Sequence, residues 1–257
     1  MKFGIDISSY QKNMDLEKAK KEGVQFAILR AGFTGYGTGV SKNKDNAFES
    51  HYAKCKALGI PVGAYWYSCA TDYVKGRAEA EYMYENCLKG KQFEYPIYID
   101  VEDTRHQQKA GKAVVTNAIK GFCEYMESKG FYVGIYANSY WFKTYIDVSK
   151  LTKYDKWVAN WNKTRPTTPS HGLWQFGGET NNIRTNKVAG VVCDQNYAYY
   201  DFPTIMKNKK LNGFGETIYT VQEGDSLDSI STKFNTTIAK IANDNNLIKV
   251  GQKLVIK

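Results

Sequence analysis

Two carboxylates at the end of an apolar run are the residues best suited to chemistry. The run covers residues 95–103 and reads Tyr-Pro-Ile-Tyr-Ile-Asp-Val-Glu-Asp. Because side chains alternate along a β-strand, Tyr98, Asp100 and Glu102 share one face, and the isoleucines and valine take the other. In a confined space, repulsion and partial desolvation raise the pKa of one carboxyl and leave its neighbour ionised. The pattern indicates an acid/base pair, but an isolated Asp-x-Glu is equally typical of a strand that ends in water.

Polar and aromatic residues also lie at or near the ends of other predicted strands. Asp6 and Ser8 alternate with apolar residues in the first strand, and the eighth is predicted to end in Asp194. The third, fifth, sixth and seventh strands contribute Tyr65, Tyr67, Tyr136, Trp161 and Gln175. Aromatic faces cover the C–H surfaces of sugars while acids and amides bind the hydroxyls, so together these residues predict a sugar site. Taken singly, such aromatics are more often packing residues.

The elements that position these residues alternate between strands and helices. The strands are predicted at residues 3–7, 25–31, 61–67, 96–101, 132–136, 156–161, 173–176 and 191–194. Amphipathic helices are clearest at residues 16–22, 46–58, 75–87 and 113–129. Repeated β/α units with eight parallel strands predict a closed TIM-type barrel, irregular after Tyr145, with its active site at the carboxyl ends of the strands. The face taken by Arg30 stays open.

Composition excludes several classes. No apolar stretch is long enough to span a membrane. The first residues enter a strand pattern that leaves no room for a signal peptide, so export by the Sec route is not predicted. The five scattered cysteines predict buried free thiols. The three histidines lack metal-ligand spacing and are expected at the surface; neither metal nor cofactor is predicted.

The net charge of +9 lies entirely before residue 216, because the later residues carry five acids and five bases. A basic surface favours polyanions, namely nucleic acid, acidic lipid or an anionic wall polymer. Neither a zinc-finger nor a helix-turn-helix pattern is present, so nucleic-acid binding is not expected.

A second, smaller unit follows a polar segment. Residues 208–216 are rich in Lys, Asn and Gly and are predicted to be a linker. Beyond it, residues 217–221 and 253–256 read as strands, and residues 226–234 and 237–243 as helices. The predicted division is therefore a barrel at 1–207, a linker at 208–216 and a small domain at 217–257.

The ordered motifs of the first part resemble the family 25 glycoside hydrolases, which are muramidases with an irregular β/α barrel. They are Gly-Ile-Asp-Ile-Ser at 4–8, Gly-Ala-Tyr-Trp-Tyr at 63–67, Asp-Val-Glu at 100–102, Tyr-Ala-Asn at 136–138, Trp-Gln-Phe at 174–176 and Asp-Gln-Asn at 194–196. The resemblance implies an acidic cluster of Asp6, Asp100, Glu102 and Asp194. Glu102 would be the proton donor, and Asp100 either the nucleophile or the carboxylate that orients the substrate acetamido group. Tyr10 stands where that family often has Trp.

The last part resembles the LysM module, a βααβ fold that binds glycans containing N-acetylglucosamine. The similarity lies in residues 219–227, 241–243 and 250–256. It implies glycan contacts from two loops, comprising Gly224, Asp225, Ser226, Leu227, Asn246, Leu247 and Ile248. Gly224 and Asp225 are equally typical of a turn and a helix N-cap.

Together these resemblances imply a peptidoglycan hydrolase of the phage endolysin type. Without a signal peptide, it would be made in the bacterial host cytoplasm and would act on the cell wall after release. It would cleave the β-1,4 bond between N-acetylmuramic acid and N-acetylglucosamine. A chitinase-like glycosidase is an alternative, although Tyr98 occupies the place where that class needs a further acid. A catalytically inactive glycan-binding protein is the other.

Overall fold

The computed structural model describes residues 1–35, 41–177, 185–215, 219–245 and 247. It divides into two compact units, Met1–Glu216 and Thr217–Lys257. Within the described residues, every helix is too short or too polar to cross a membrane.

The larger unit is built on a closed barrel. Its strands are β1 (Lys2–Ile7), β2 (Phe26–Thr34), β3 (Lys42–Lys44), β4 (Val62–Tyr67), β5 (Ile97–Asp100), β6 (Val133–Asn138), β7 (Asp155–Ala159), β8 (Leu173–Gly177), β9 (Lys187–Val188), β10 (Val191–Val192) and β11 (Asp194–Ala198). The barrel order is β1, β2, β4, β5, β6, β7, β8 and β11, and β11 pairs with β1 to close it. Strand β3 pairs antiparallel with the end of β2. Strands β9 and β10 form a separate antiparallel pair.

Helices cover the outside of the barrel. They are α1 (Leu16–Lys21), α2 (Phe48–Ala57), α3 (Tyr73–Met83), α4 (Gln107–Ala110), α5 (Lys112–Ser128), α6 (Ser139–Thr144) and α7 (Phe202–Lys209). The four clearest predicted helices are all present. Asp15 and Asp72 cap two of them by accepting backbone N–H bonds from Lys18 and Lys75, which satisfies donors that a helix start leaves free.

The contact between α3 and α5 depends on two glycines. A Cβ added at Gly76 would lie 2.0 Å from the backbone oxygen of Ala118, and one at Gly121 would lie 2.0 Å from that of Tyr73. The two helix backbones therefore approach too closely for any other residue at these positions.

The direction of the last barrel strand differs from the prediction. Strand β11 runs antiparallel to both β1 and β8, and it begins at Asp194 instead of ending there. The β9–β10 hairpin, which turns at Gly190 with a φ of +82°, precedes it, so the described residues contain no crossover helix before β11. Because an antiparallel strand starts where its neighbours end, Asp194 still lies at the carboxyl end of the parallel strands.

Two hydrophobic layers follow the predicted alternation. Ile5, Ile7 and Ile99 pack between the strands and the helices. Phe26 and Ile28 lie in the layer inside the barrel. Arg30 follows with the same alternation, and it lines the cavity at the barrel mouth.

The predicted linker is largely part of the barrel unit. Helix α7 runs to Lys209, and Asn212 is fully buried. The Asn212 side chain accepts a hydrogen bond from the Tyr132 backbone N–H at 2.7 Å and donates one to the Tyr95 backbone oxygen at 2.8 Å. Composition predicted a linker here; the Asn212 side chain instead satisfies backbone groups of Tyr132 and Tyr95 at the base of the barrel.

Two of the three histidines are buried, contrary to the prediction. His51 is 2% exposed and His171 is 1% exposed. The Nδ1–H of His171 donates to the Pro169 backbone oxygen at 2.7 Å, and its Nε2 accepts from the Arg165 guanidinium at 3.0 Å. A neutral imidazole with both nitrogens bonded is tolerated in a core. All five cysteines are buried free thiols, as predicted.

The smaller unit contains helices α8 (Leu227–Lys233) and α9 (Ile238–Asp244), close to the predicted ranges. The Ser226 and Thr237 side chains cap their first turns. The rings of Tyr219 and Phe234 pack with their centroids 5.0 Å apart. The predicted strand at 253–256 lies outside the described residues, and of the one at 217–221 only 219–221 are described, without strand pairing.

Candidate active site

The four predicted acids line one cavity of about 290 Å³ at the barrel mouth. The wall between them is polar and aromatic, and it includes Ser8, Tyr10, Arg30, Phe33, Tyr65, Tyr67 and Arg105. Strand alternation brings the acids together, since Asp6, Asp100 and Asp194 occupy inward-facing positions at the same end of β1, β5 and β11.

Asp6 is fixed by amide donors from two neighbouring strands. Asn196 Nδ2 and Gln175 Nε2 donate to its Oδ2 at 2.8 Å and 3.1 Å. Asp194 lies directly opposite Asp6 in the register between β1 and β11. Burial raises the pKa of Asp6 to about 6, although both amide bonds favour its ionised form.

Asp100 is a buried carboxyl flanked by aromatic residues of both neighbouring strands. It is paired in register with Tyr67 on one side and Tyr136 on the other, and it is 5% exposed. Its Oδ1 is buried and has no hydrogen-bond partner among the described residues. Burial raises the pKa of Asp100 well above its usual range, and the charges of Glu102 and Asp6 raise it further.

Glu102 lies two residues beyond Asp100, past the end of β5. Burial raises its pKa, and the charge of Asp6 adds to the effect. The sequence predicted one raised carboxyl with an ionised neighbour, whereas the structure raises both, because Asp100 is buried as well. The cluster therefore retains protons at a pH where ordinary carboxyls have lost them.

Three residues predicted to bind substrate, Tyr136, Trp161 and Gln175, form a hydrogen-bond network that holds Asp6. The Gln175 Oε1 accepts hydrogen bonds from the Tyr136 hydroxyl at 3.0 Å and from the Trp161 indole N–H at 3.1 Å. Since its amide nitrogen donates to Asp6, Gln175 uses both ends of its side chain within the protein. Trp161 is 40% exposed, so its ring still presents a face to solvent.

Of the predicted aromatic residues, Tyr65 and Tyr67 line the cavity directly. Tyr98 does not: its hydroxyl donates to Asp155 Oδ2 at 2.9 Å in the layer beneath. Trp157, which the sequence analysis missed, packs in that layer against Tyr65, with centroids 5.8 Å apart.

The mouth also contains residues that sequence reasoning missed. Tyr10 is 76% exposed, and its ring lies over the guanidinium of Arg30 at 5.2 Å. Arg30 is held by Asp45 at 2.7 Å and by the Ser9 hydroxyl at 2.9 Å. Strand alternation places Arg30 on the same face as Phe26, and this was the available signal. The sequence alone did not show that this face points into the barrel.

The predicted glycan residues of the smaller unit serve as turn and cap. Gly224 has a φ of +88°, and Asp225 accepts hydrogen bonds from the Gln222 backbone N–H at 2.7 Å and the Tyr219 hydroxyl at 2.8 Å. Leu227 and Leu247 are 40% and 46% exposed. Asn246 and Ile248 lie outside the described residues.

An inward cluster of carboxylates at the mouth of a β/α barrel defines a glycosidase-like site. The profile of the glycosyl hydrolases family 25 matches residues 5–184, and that of the LysM domain matches residues 219–257. The chain belongs to glycosyl hydrolase family 25 and ends in a LysM domain.

Named relatives are similar at modest identity. The autolytic lysozyme of Clostridium acetobutylicum is 26% identical over 63% of this chain and 46% of its own length. Lysozyme M1 of Streptomyces globisporus is 26% identical over 73% of this chain and 67% of its own length. The chain thus spans about half of the first relative and about two thirds of the second.

Solved structures share the fold. The CTP1L endolysin has a TM-score of 0.66 at 23% identity, covering 99% of this chain and 84% of its own. The bacterial lysozyme from Streptomyces coelicolor has a TM-score of 0.64 at 23% identity, covering 83% of this chain and 98% of its own.

Proposed function

We propose that the chain is an N-acetylmuramidase that hydrolyses the β-1,4 bond between N-acetylmuramic acid and N-acetylglucosamine in peptidoglycan. The observation that carries the proposal is the cavity in which Asp6, Asp100, Glu102 and Asp194 meet. Family membership supports the reaction class, and relatives named lysozyme support the substrate class.

Glu102 is proposed as the general acid. Burial and the charge of Asp6 raise its pKa, which favours the protonated form that can donate a proton to the departing glycosidic oxygen. The same residue, once ionised, takes a proton from the water that completes hydrolysis. Its place beyond the strand end, on the wall of the cavity, leaves it accessible to substrate.

Asp100 is proposed to act on the anomeric side of the bond. Asp100 lines the cavity, and its buried Oδ1 has no hydrogen-bond partner among the residues described. In a retaining reaction it attacks the anomeric carbon; in a substrate-assisted one it orients the acetamido group that attacks. Both routes need Asp100 ionised during attack; burial and the charges of Glu102 and Asp6 raise its pKa, and the charge of Arg30 opposes them.

The walls are proposed to hold the sugar rings. Tyr10, Tyr65 and Tyr67 present aromatic surface, and Asp6 and Asp194 polarise the site beside the reacting carboxyls. The cavity volume is at the lower end of ligand pockets, which suits one buried sugar ring with the rest of the strand lying across the open mouth.

The LysM domain is proposed to bind N-acetylglucosamine-containing strands and to tether the barrel to the insoluble wall. Tethering raises the local concentration of the enzyme on its substrate. We further propose that the two loops named in the sequence analysis contact the glycan and that the protein reaches the wall after release from the host cell.

Mass spectrometry of digested, borohydride-reduced peptidoglycan tests the proposal. A muramidase yields fragments whose reduced end is N-acetylmuramic acid. Reduced N-acetylglucosamine ends would instead support the chitinase-like alternative. Purified walls that bind the protein and yield no fragments would support the inactive glycan-binding alternative.

A further inference from the structure

A cluster of three different metal-ligand types lies beside the acidic cavity and outside the proposed reaction. Cys69 follows β4, and Asp103 and His106 follow β5. One ligand atom from each lies within 4.8 Å of the others, and this is the single such group among the described residues. The spacing of these residues in the chain gave no hint of it, because two separate loops bring them together.

The carboxylate of Asp103 has unused binding capacity. The residue is 1% exposed. Its Oδ2 accepts hydrogen bonds from the His106 backbone N–H at 2.6 Å and the Gln107 backbone N–H at 3.3 Å, and it contacts His106 Nδ1 at 2.9 Å. Its Oδ1 is buried without a hydrogen-bond partner among the described residues; the Arg105 guanidinium forms an ion pair with it, with Nε 3.8 Å away and so beyond hydrogen-bond range.

The Cys69 thiol and the His106 imidazole complete a mixed set of possible metal ligands. Cys69 is 4% exposed, and its thiol is placed by a contact to the Thr34 backbone oxygen at 3.5 Å. The His106 side chain is 28% exposed, so a cation can reach the group from solvent. A buried thiol, a carboxylate oxygen without a donor and an accessible imidazole together are unusual for simple packing.

We propose that Cys69 Sγ, a carboxylate oxygen of Asp103 and an imidazole nitrogen of His106 bind a thiophilic divalent cation, of which Zn²⁺ fits best. Sulfur and imidazole ligands favour zinc over magnesium or calcium. A point among the three atoms lies within about 2.8 Å of each, so shifts below about 1 Å reach the roughly 2.0–2.3 Å of zinc bonds. The cation replaces the thiol proton, which leaves to solvent, and a water takes the fourth position.

The cation would tie two loops of the barrel mouth together. Gln107 Nε2 already donates to the Ser68 hydroxyl at 3.2 Å and to the Ala70 backbone oxygen at 3.3 Å, so the loops after β4 and β5 are in contact beside Cys69. A bound cation adds a link one residue from Glu102. The site itself does not depend on the proposed hydrolysis.

Metal binding by the untagged full chain tests this proposal without any activity assay. The chelator-treated protein is incubated with Zn²⁺ or Co²⁺ and desalted, and its metal content is measured by mass spectrometry. We expect about one Zn²⁺ per chain and, with Co²⁺, the near-ultraviolet thiolate charge-transfer band. Cys69→Ser should abolish the band, and His106→Gln should weaken binding at least about tenfold.

Cys55→Ser is the matched control. Cys55 is also a fully buried free thiol, but it belongs to no ligand group in the described part of the chain. It should retain the full metal content and the cobalt band. Absence of bound metal in the parent, full binding by Cys69→Ser, or equal loss in Cys55→Ser would overturn the proposal. If Cys69→Ser fails to fold, the partly exposed His106→Gln decides the question.

Discussion

Two buried carboxyls inside the same barrel, Asp100 at the mouth and Asp155 at the floor, have similar burial and different surroundings. Burial raises the pKa of both, to about 6 for Asp155. The Asp155 oxygens are bonded to the Tyr98 hydroxyl at 2.9 Å and to the Gly172 backbone N–H at 3.0 Å. Asp100 keeps one oxygen without a partner among the described residues, beside a cavity.

A raised pKa therefore does not by itself mark a reacting carboxyl. Desolvation produces the shift wherever a carboxyl is buried. Chemistry needs in addition an oxygen that the protein leaves for the substrate and space for the substrate to reach it. The mouth meets both conditions, whereas the floor uses its carboxyl to satisfy a phenol and a backbone donor.

The largest expected effect lies at the mouth. Glu102→Gln preserves the shape of the side chain but cannot donate a proton, so the rate of wall lysis should fall by about two to four orders of magnitude. Binding to walls, measured by cosedimentation, should stay at the parental level. Loss of binding would mean that the substitution damaged the surface and not the chemistry.

Asp100→Asn should also be severe, because it removes the charge proposed to act at the anomeric carbon. Asp6→Asn and Asp194→Asn should cost less, since these residues lie on the far strands and polarise the site. Initial rates on one wall preparation rank the four variants. A larger loss in Asp194→Asn than in Asp100→Asn would move the reaction centre away from β5.

Truncation separates the base of the barrel from the LysM domain. A chain ending at residue 215 should stay folded and cleave soluble glycan fragments, while losing activity on whole walls because the tether is gone. A chain ending at residue 207 also loses Asn212, leaving buried backbone groups unpaired and costing at least about 2 kcal/mol.

Chemical denaturation of both truncated chains measures the difference. Asn212→Ala in the longer chain is the matched control, and it should lose much of the same stability. Equal stability of the two truncated chains would restore the linker assignment of residues 208–215.

The smallest expected effect on activity lies at the floor. At pH 4 the folded-state carboxyl is protonated, and Asp155→Asn mimics that form, with its oxygen accepting from the Gly172 N–H and its NH2 donating to the Tyr98 hydroxyl. One amide N–H is left over, so the free energy of unfolding near pH 4 should fall by no more than about 1 kcal/mol. The rate of wall lysis should stay within about threefold of the parent.

The contribution of Asp155 to the free energy of unfolding should decrease as the pH rises. The pKa of Asp155 is raised from 3.8 to about 6 on folding, so the folded state binds the extra proton. The stability that this carboxyl contributes is complete below pH 4 and is lost as the pH rises through 6, by about 3 kcal/mol in total. Unfolding at pH 4 and pH 7 should therefore show a smaller decline in Asp155→Asn than in the parent; an unchanged decline would place the titration elsewhere.

The site could be predicted largely because strand alternation is local. Asp6, Asp100 and Glu102 needed only the parity of their own strands and a closed barrel to be brought to one mouth. The direction of β11 could not be predicted, because a strand in a hairpin and a strand after a crossover have the same pattern.

Long-range pairings account for most of what the sequence did not reveal. In the sequence, Asn212 is one more polar residue of a predicted linker, and only the structure shows that it bonds to the backbones of Tyr95 and Tyr132. Arg30 required its partner Asp45, 15 residues away, before its place at the mouth could be understood. In each case a polar side chain satisfies a group that its own neighbourhood in the chain does not contain.

A single wall-lysis assay of Glu102→Gln and Asp155→Asn, at equal concentrations of folded protein, tests whether the chemistry takes place at the barrel mouth. We expect Glu102→Gln, at the mouth, to lose at least about a hundredfold in initial rate and Asp155→Asn, at the floor, to stay close to the parent. Near-parental lysis by Glu102→Gln, or an equal loss in both variants, would contradict the assignment of the chemistry to the barrel mouth.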